Sequence, residues 1–111
     1  MVAGKAYIFL LLAIPTMSMG GGFESKVEYV QVNLETNSAA VKFVVNPTNP
    51  PPCATQTRMA IPLDIDGGKA AYSLILSAQA SDRNVFGKGK NDGNACDVLS
   101  GMDTVRYIRL L

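Results

Sequence analysis

Cysteine is the residue type whose chemistry this sequence indicates most clearly. The chain has two cysteines, Cys53 and Cys96, and no histidine. In exported proteins such a pair is typical of a disulfide. A reactive thiol would need a helix start or adjacent cations, whereas Cys96 is followed by Asp97. We therefore predict a structural disulfide, which in the chain-entropy description contributes about 4 kcal/mol to stability.

Groups for acid–base or nucleophilic catalysis are scarce. Without histidine, Ser-His and Cys-His pairs cannot form. Lys69 and Ser73 lie four residues apart, which is typical of a solvated helix face. Asp92, Asp97 and Asp103 are explained equally well by turn and capping roles. We therefore expect no enzyme, no catalytic residue and no cofactor.

Two short motifs resemble ion-binding loops. Gly87-Lys88-Gly89-Lys90 has the glycines and lysine of a phosphate loop, but it follows the predicted helix instead of opening it. Asp64-Ile65-Asp66-Gly67 resembles the start of a calcium loop, but the later acidic ligands are missing. We predict a flexible loop for the first motif and helix capping by Asp64 or Asp66 for the second, with no metal site.

Residues 1–20 have the layout of a secretory signal peptide. A start with one positive charge, Lys5, precedes the apolar run 6–14, which Pro15 ends. The small-x-small pattern at residues 18–20 predicts cleavage before Gly21, with cleavage after Ser18 as the alternative. The run is shorter than the roughly 20 residues that span a bilayer. We expect a secreted or periplasmic bacterial protein without a membrane span, the alternative being a buried first strand.

The net charge limits the class of partner. Loss of Lys5 with the leader would reduce ten basic side chains to nine, against nine acidic ones. A nucleic-acid surface needs an excess of Lys and Arg, so we expect no nucleic acid as partner. The remaining residues, 21–111, are enough for one small domain.

Period-2 alternation predicts strands on both sides of one helix. Residues 27–34 change phase between Tyr29 and Val30, which indicates a bulged strand. The other predicted strands cover about residues 39–45, 55–63, 84–86 and 104–111. In the last strand, Val105, Tyr107 and Arg109 are expected on one face, with Arg106, Ile108 and Leu110 on the other. The connectors are a stiff proline-rich segment, 46–52, and a mobile glycine-rich loop, 87–94.

Residues 69–80 have the helical period. The predicted core face consists of Ala71, Leu74, Ile75 and Ala78. Tyr72 and Leu76 form a second apolar ridge beside it. This ridge either completes a broad buried face or packs against another subunit, so Tyr72 and Leu76 are candidate interface residues of a homo-oligomer.

The order of these elements, β-β-β-α-β-β, is that of the oligonucleotide/oligosaccharide-binding (OB) fold, a five-stranded Greek-key barrel. A long bulged first strand and a helix between the third and fourth strands both suit this fold. We therefore predict a mainly β domain with one helix and an OB-like barrel. A small α+β sandwich is the alternative.

The second half of the chain resembles a known family. The run Gly68–Ser81 (GKAAYSLILSAQAS), followed by Val85, a Gly-x-Gly, Cys96 and a closing strand, resembles small exported bacterial proteins of unknown function. The resemblance covers about residues 53–110. The helix-then-strand arrangement is also distantly similar to the glycan-binding, pentameric B subunit of subtilase-type AB5 toxins, an OB fold. Because this chain has a longer glycine-rich loop and no tryptophan, no glycan-contacting residue is carried over.

These features favour a non-enzymatic, exported binding module that binds an oligosaccharide or a protein. The alternative is a structural or accessory periplasmic protein without a small ligand. OB barrels bind across one face and the surrounding loops. The candidate binding segments are 36–38, 46–52 and 87–94, with Asn49, Lys88, Lys90, Asn91 and Asp92 as candidate ligand residues. We expect the disulfide to hold two of these irregular segments together at one end of the barrel.

Overall fold

The computed structural model describes residues 22–111. The predicted signal peptide, residues 1–20, lies outside the described residues. The described part of the chain contains six strands and one helix. In chain order they are β1 (Gly22–Ser25), β2 (Val27–Asn33), β3 (Ser38–Phe43), β4 (Met59–Pro62), α1 (Asp66–Ala80), β5 (Val85–Gly89) and β6 (Val105–Leu110).

The strands form two three-stranded antiparallel sheets, ordered β1-β5-β6 and β2-β3-β4. The prediction of a mainly β domain with one helix is confirmed. Residues 22–111 do not form a single closed five-stranded sheet. Among residues 22–111, the two sheets are joined by one parallel bridge, between Ala60 and Thr104. No helix in this part of the chain has the length and hydrophobicity needed to cross a bilayer.

The chain passes from one sheet to the other at Lys26, between β1 and β2. β1 pairs with β5 and β2 pairs with β3, with only Lys26 between them. The Lys26 carbonyl accepts hydrogen bonds from Val44 N (3.0 Å) and Ser25 Oγ (2.8 Å). The sequence pattern begins only at Val27 because Phe23 is the single large apolar residue of β1. β2 carries the predicted bulge, but it lies at Glu28, between Val27 and Tyr29, instead of between Tyr29 and Val30.

The core fills the space between the sheets and the helix. The Phe23 and Phe43 rings, one from each sheet, lie 4.6 Å apart. Ile75 and Ala78 of α1 are fully buried against them, with Ala71 and Leu74 at the edge. The predicted core face of the helix is therefore confirmed. The other buried core residues are Val27, Ala39, Val41, Met59, Ile61 and Val85.

The start of the helix depends on packing rather than on capping. The predicted capping by Asp64 or Asp66 is wrong, because Ile65 occupies the cap position and no side chain caps the helix. Asp66 lies in the first turn, where a carboxylate is favoured by the helix dipole. A side chain at Gly68 would overlap the carbonyl oxygen of Pro62. Glycine at this position therefore lets the helix begin directly against the end of β4.

The glycine-rich segment 87–94 is only partly a loop. β5 continues to Gly89, three residues beyond the predicted end of this strand. A methyl group at Gly87 would lie 2.8 Å from Phe23 Cζ, and one at Gly89 would lie 2.9 Å from Met59 Cε. These two glycines permit close packing inside a strand, rather than loop mobility. Lys88 consequently belongs to a strand, and the loop begins at Lys90.

The predicted faces of the last strand are also corrected. Val105 pairs with Gly89 and Tyr107 with Lys88, so Arg106 is an extra residue in β6. This bulge reverses the alternation. Val105 therefore shares the inner face with Ile108 and Leu110, and these three pack against the core. Tyr107 and Arg109 lie on the outer face.

The third predicted strand, which is β4 in the structure, is shorter than predicted. β4 covers only Met59–Pro62, whereas the pattern indicated residues 55–63. The amides of Thr55 and Gln56 both donate to the Gly101 carbonyl oxygen, at 2.9 and 3.0 Å, instead of to a neighbouring strand. The proline-rich segment 46–52 contains neither helix nor strand, as predicted.

Candidate binding surfaces

The predicted disulfide is confirmed. Cys53 and Cys96 are bonded, with their Cα atoms 6.2 Å apart. This separation lies within the usual range for a disulfide. The two cysteines are 43 positions apart in the sequence. A disulfide is compatible with an extracellular or periplasmic location, because thiols stay reduced in the cytosol.

Backbone hydrogen bonds reinforce the disulfide. It joins segment 46–57 to segment 90–101, and the Gly101 carbonyl accepts the amides of Thr55 and Gln56 beside it. The Ala95 carbonyl accepts both Thr104 N (2.8 Å) and Thr104 Oγ1 (2.7 Å). A small apolar cluster joins Leu99 of the second segment and Met102 to Ala40 of β3 and Ala60 of β4. The disulfide and these hydrogen bonds therefore hold the two irregular segments together, as expected from the sequence. We call them the disulfide loops.

Asp103 is a buried acidic residue that follows the second disulfide loop in the chain. Only 5% of its surface is exposed. Its Oδ1 accepts a hydrogen bond from Asn91 N at 3.3 Å, and its carbonyl oxygen accepts Ala60 N at 2.8 Å. Burial raises the pKa of the Asp103 carboxyl, and backbone amide donors partly oppose this. Asp103 thus attaches the 90–94 loop to β4, and the sequence indicated only a turn or capping role for it.

The candidate ligand residues lie at different places. Asn49 and Asn91 are exposed and have left-handed backbone conformations, with φ of 49° and 51°. Asp92 is exposed and its Oδ1 accepts Asn94 N at 2.9 Å. Lys90 is half-buried and donates its backbone N–H to Thr104 O. Lys90, Asn91 and Asp92 are thus neighbours in one loop.

Lys88 lies apart from that loop, on the outer face of the sheet β1-β5-β6. Its cross-strand partners are Gly22 and Tyr107. The carbonyl oxygen of Gly22 accepts Thr48 Oγ1 at 2.8 Å. This hydrogen bond places the proline-rich segment, which carries Asn49, beside the cross-strand neighbours of Lys88.

The outer face of this sheet holds a cluster that the sequence analysis did not single out. The Phe86 and Tyr107 ring centroids lie 6.1 Å apart, and the Arg109 guanidinium lies 5.1 Å from the Phe86 centroid. Together with Lys88, these residues form what we call the aromatic–cationic face. The alternation of residues 86–88 and of residues 107–109 is consistent with such a face. The cluster was not predicted because Lys88 was assigned to a loop and the bulge at Arg106 was not recognised.

The helix bears the candidate interface residues. Tyr72 is half-buried and packs against the core, whereas 39% of Leu76 is exposed. A separate apolar groove of about 390 Å³ lies between the first half of α1 and β6. Its lining includes Ile61, Gly68, Ala71, Leu74 and Ile108, but neither Tyr72 nor Leu76.

The described residues contain no group of three or more His, Cys, Asp or Glu side chains that could hold a metal ion. Comparison of the chain with known protein families, with curated proteins and with solved structures found no match.

Proposed function

We propose that this chain is a non-enzymatic, exported binding module built on an OB-type barrel, with an oligosaccharide or another protein as its ligand. The observation that carries the proposal is the pair of disulfide loops. They are irregular and polar at the surface, yet they are joined covalently and by backbone hydrogen bonds. Loops ordered before binding lose less conformational entropy when a ligand binds, so they are suited to recognition.

The barrel assignment is supported by the path of the chain. In an OB barrel the first strand contributes to both halves of the structure, and here the chain passes between sheets at Lys26. The parallel bridge between Ala60 and Thr104 lies where β4 and β6 would close such a barrel. The sequence resemblance to exported bacterial proteins and to toxin B subunits agrees with this architecture.

A glycan-array screen of the protein, followed by titration of the best glycan, tests the binding function. The double variant Lys90→Ala, Asp92→Ala changes one disulfide loop without altering the net charge. The control variant Lys69→Ala, Asp64→Ala removes the same two residue types from exposed positions beside the helix start. We expect the loop variant to lose binding and the control to retain it. If neither a glycan nor a co-purifying protein binds, the alternative of an accessory protein without a small ligand is favoured.

We further propose that Tyr72 and Leu76 contribute to a homo-oligomer. The exposed part of Leu76, beside the half-buried Tyr72, is what supports a subunit contact. Size-exclusion chromatography with light scattering measures the mass directly. We expect an oligomer for the unmodified protein and a smaller species for Leu76→Lys. A monomer at high protein concentration would contradict the proposal.

A further inference from the structure

On the aromatic–cationic face, aromatic and charged side chains are cross-strand neighbours. Across the sheet β1-β5-β6, one row reads Gly22, Lys88, Tyr107 and the adjacent row reads Glu24, Phe86, Arg109. Tyr107 therefore has a cation directly across the ladder, at Lys88, and another two residues along its own strand, at Arg109. Its side chain is 46% exposed. An exposed ring between two cations favours a ligand with both a flat apolar face and negative charge.

The cations of this face are available to a ligand. The ion pairs within residues 22–111 join Lys26 to Asp82 and Lys42 to Glu28. Neither Lys88 nor Arg109 is paired with an acidic side chain there. The Arg109 guanidinium is positioned over the Phe86 ring. A guanidinium group is planar, and its N–H donors form a fork that can make bidentate bonds to a carboxylate.

The face also carries hydrogen-bonding groups of the opposite polarity. Glu24 flanks Phe86 on the side away from Arg109, and its Oε2 accepts Asn84 Nδ2 at 3.1 Å. A carboxylate can accept hydrogen bonds from hydroxyl groups, but it repels a second anion. At the start of the same strand, Gly22 has no side chain to cover Phe86; a methyl group there would lie 3.4 Å from Phe86 Cζ.

We infer that the aromatic–cationic face binds an acidic oligosaccharide whose sugar rings carry carboxylates, as in hexuronates. The C–H face of a pyranose stacks on Tyr107, the sugar carboxylate pairs with Arg109 and Lys88, and sugar hydroxyls donate to Glu24. This inference rests on the proposed binding function: it narrows the ligand class and adds the sheet face beside the proline-rich disulfide loop to the binding surface. The attachment of Thr48 to Gly22 places the proline-rich segment beside the same site.

Other anions fit this face less well. A nucleic-acid surface needs a large excess of Lys and Arg to displace counterions, whereas this chain has ten basic and nine acidic side chains. An acidic peptide supplies carboxylates without a flat hydroxyl-bearing ring for Tyr107 and Glu24. The exposed ring and the mixed polarity together favour the saccharide.

The test is calorimetric titration of the disulfide-bonded protein with hexagalacturonate. The comparison probes are neutral cellohexaose, hexaglutamate and single-stranded oligothymidylate. We expect hexagalacturonate to bind most tightly and its affinity to fall as salt screens the carboxylates. Tyr107→Ala should weaken binding by about tenfold or more, which corresponds to about 1.4 kcal/mol. Arg109→Ala should weaken binding and reduce its salt dependence.

Matched variants on other surfaces serve as controls. Tyr29 is 40% exposed and lies on the other sheet, so Tyr29→Ala should retain the affinity for hexagalacturonate. Lys88→Ala should weaken binding as Arg109→Ala does, whereas Lys69→Ala, on the exposed side of the helix, should retain the affinity. Equal affinity for cellohexaose, preference for either non-sugar anion, or unchanged binding in Tyr107→Ala would overturn the inference. Glycan binding that depends on the disulfide loops but not on Tyr107 would overturn this inference and leave the proposed function standing. Failure of every glycan and protein to bind would remove both.

Discussion

Gly89 and Asp103 are in such close contact that any side chain on Gly89 would overlap the Asp103 carboxylate. The carboxylate cannot easily move aside, because it is buried and accepts a hydrogen bond from Asn91 N. Met59 Cε closes the same space from the core. This contact connects the end of β5 to the 90–94 loop and to β4.

We therefore expect Gly89→Ala to destabilise the domain by about 1–3 kcal/mol through overpacking. Urea unfolding followed by circular dichroism measures the change. Gly93 has no atom within 4 Å of where its side chain would begin, so Gly93→Ala is the control and should leave the urea midpoint nearly unchanged. Equal midpoints for both variants would show that Asp103 adjusts without cost.

Gly67 and Gly68 give a sharper comparison within one helical turn. A side chain at Gly68 would overlap the Pro62 carbonyl oxygen, which is backbone and cannot rotate away, whereas Gly67 has open space. Gly67→Ala should stabilise the helix by up to about 1 kcal/mol. Gly68→Ala should lower the free energy of unfolding by about 3 kcal/mol or more, since β4 and α1 must separate. Thermal unfolding of the two variants under identical conditions tests both signs.

Asp103 should make the stability of the protein depend on pH. Burial raises its pKa above the ordinary value of 3.8, so the folded protein retains a proton that the unfolded chain has already released. The resulting contribution to stability is complete below the unfolded pKa and is lost as the pH rises through the folded pKa. Relative to Asp103→Asn, the unmodified protein should therefore lose stability as the pH rises from about 4 toward neutrality. Urea midpoints of both proteins across this range measure the difference; parallel curves would contradict it.

Removal of the disulfide should lower stability by about 2–5 kcal/mol. The main core of Phe23, Phe43 and Ile75 does not include either cysteine, so we expect the helix and sheets to persist at low temperature while the disulfide loops loosen. The variant Cys53→Ser, Cys96→Ser can be compared with the oxidised protein by circular dichroism and limited proteolysis. Cleavage should concentrate in residues 46–57 and 90–101. Loss of all helical signal at low temperature would show instead that the disulfide is needed for the core.

The features that could be predicted from the sequence depend on the local spacing of apolar residues or on the pairing of two cysteines in an exported protein. The helix, its core face at Ile75 and Ala78, the bulge near Tyr29 and the Cys53–Cys96 bond all follow from spacing and residue type. The helix cap did not follow. Asp64 and Asp66 have suitable side chains, but the packing of Gly68 on Pro62 determines where the helix begins.

The remaining errors have a common physical origin in long-range packing. Gly87 and Gly89 have the composition of a loop, but in the fold they are the strand residues that leave room for Phe23, Ile108 and Met59. The bulge at Arg106 depends on pairing with β5, so alternation within β6 alone assigns Val105 to the wrong face. The aromatic–cationic face could be recognised only after both points were known.

The passage of the first strand between the sheets at Lys26 has a consequence for how the domain can come apart. β1 is continuous with β2, so separating β1 from β5 would also disturb the pairing of β2 with β3. The contact between Phe23 of β1 and Phe43 of β3 connects the two sheets across the core. The continuous segment β1–β2 thus belongs to both sheets, and Thr104, just before β6, pairs with Ala60 of the opposite sheet. No cut in the chain would release two pieces that each retain a complete sheet and a core of their own. We therefore expect residues 22–111 to unfold as one cooperative unit.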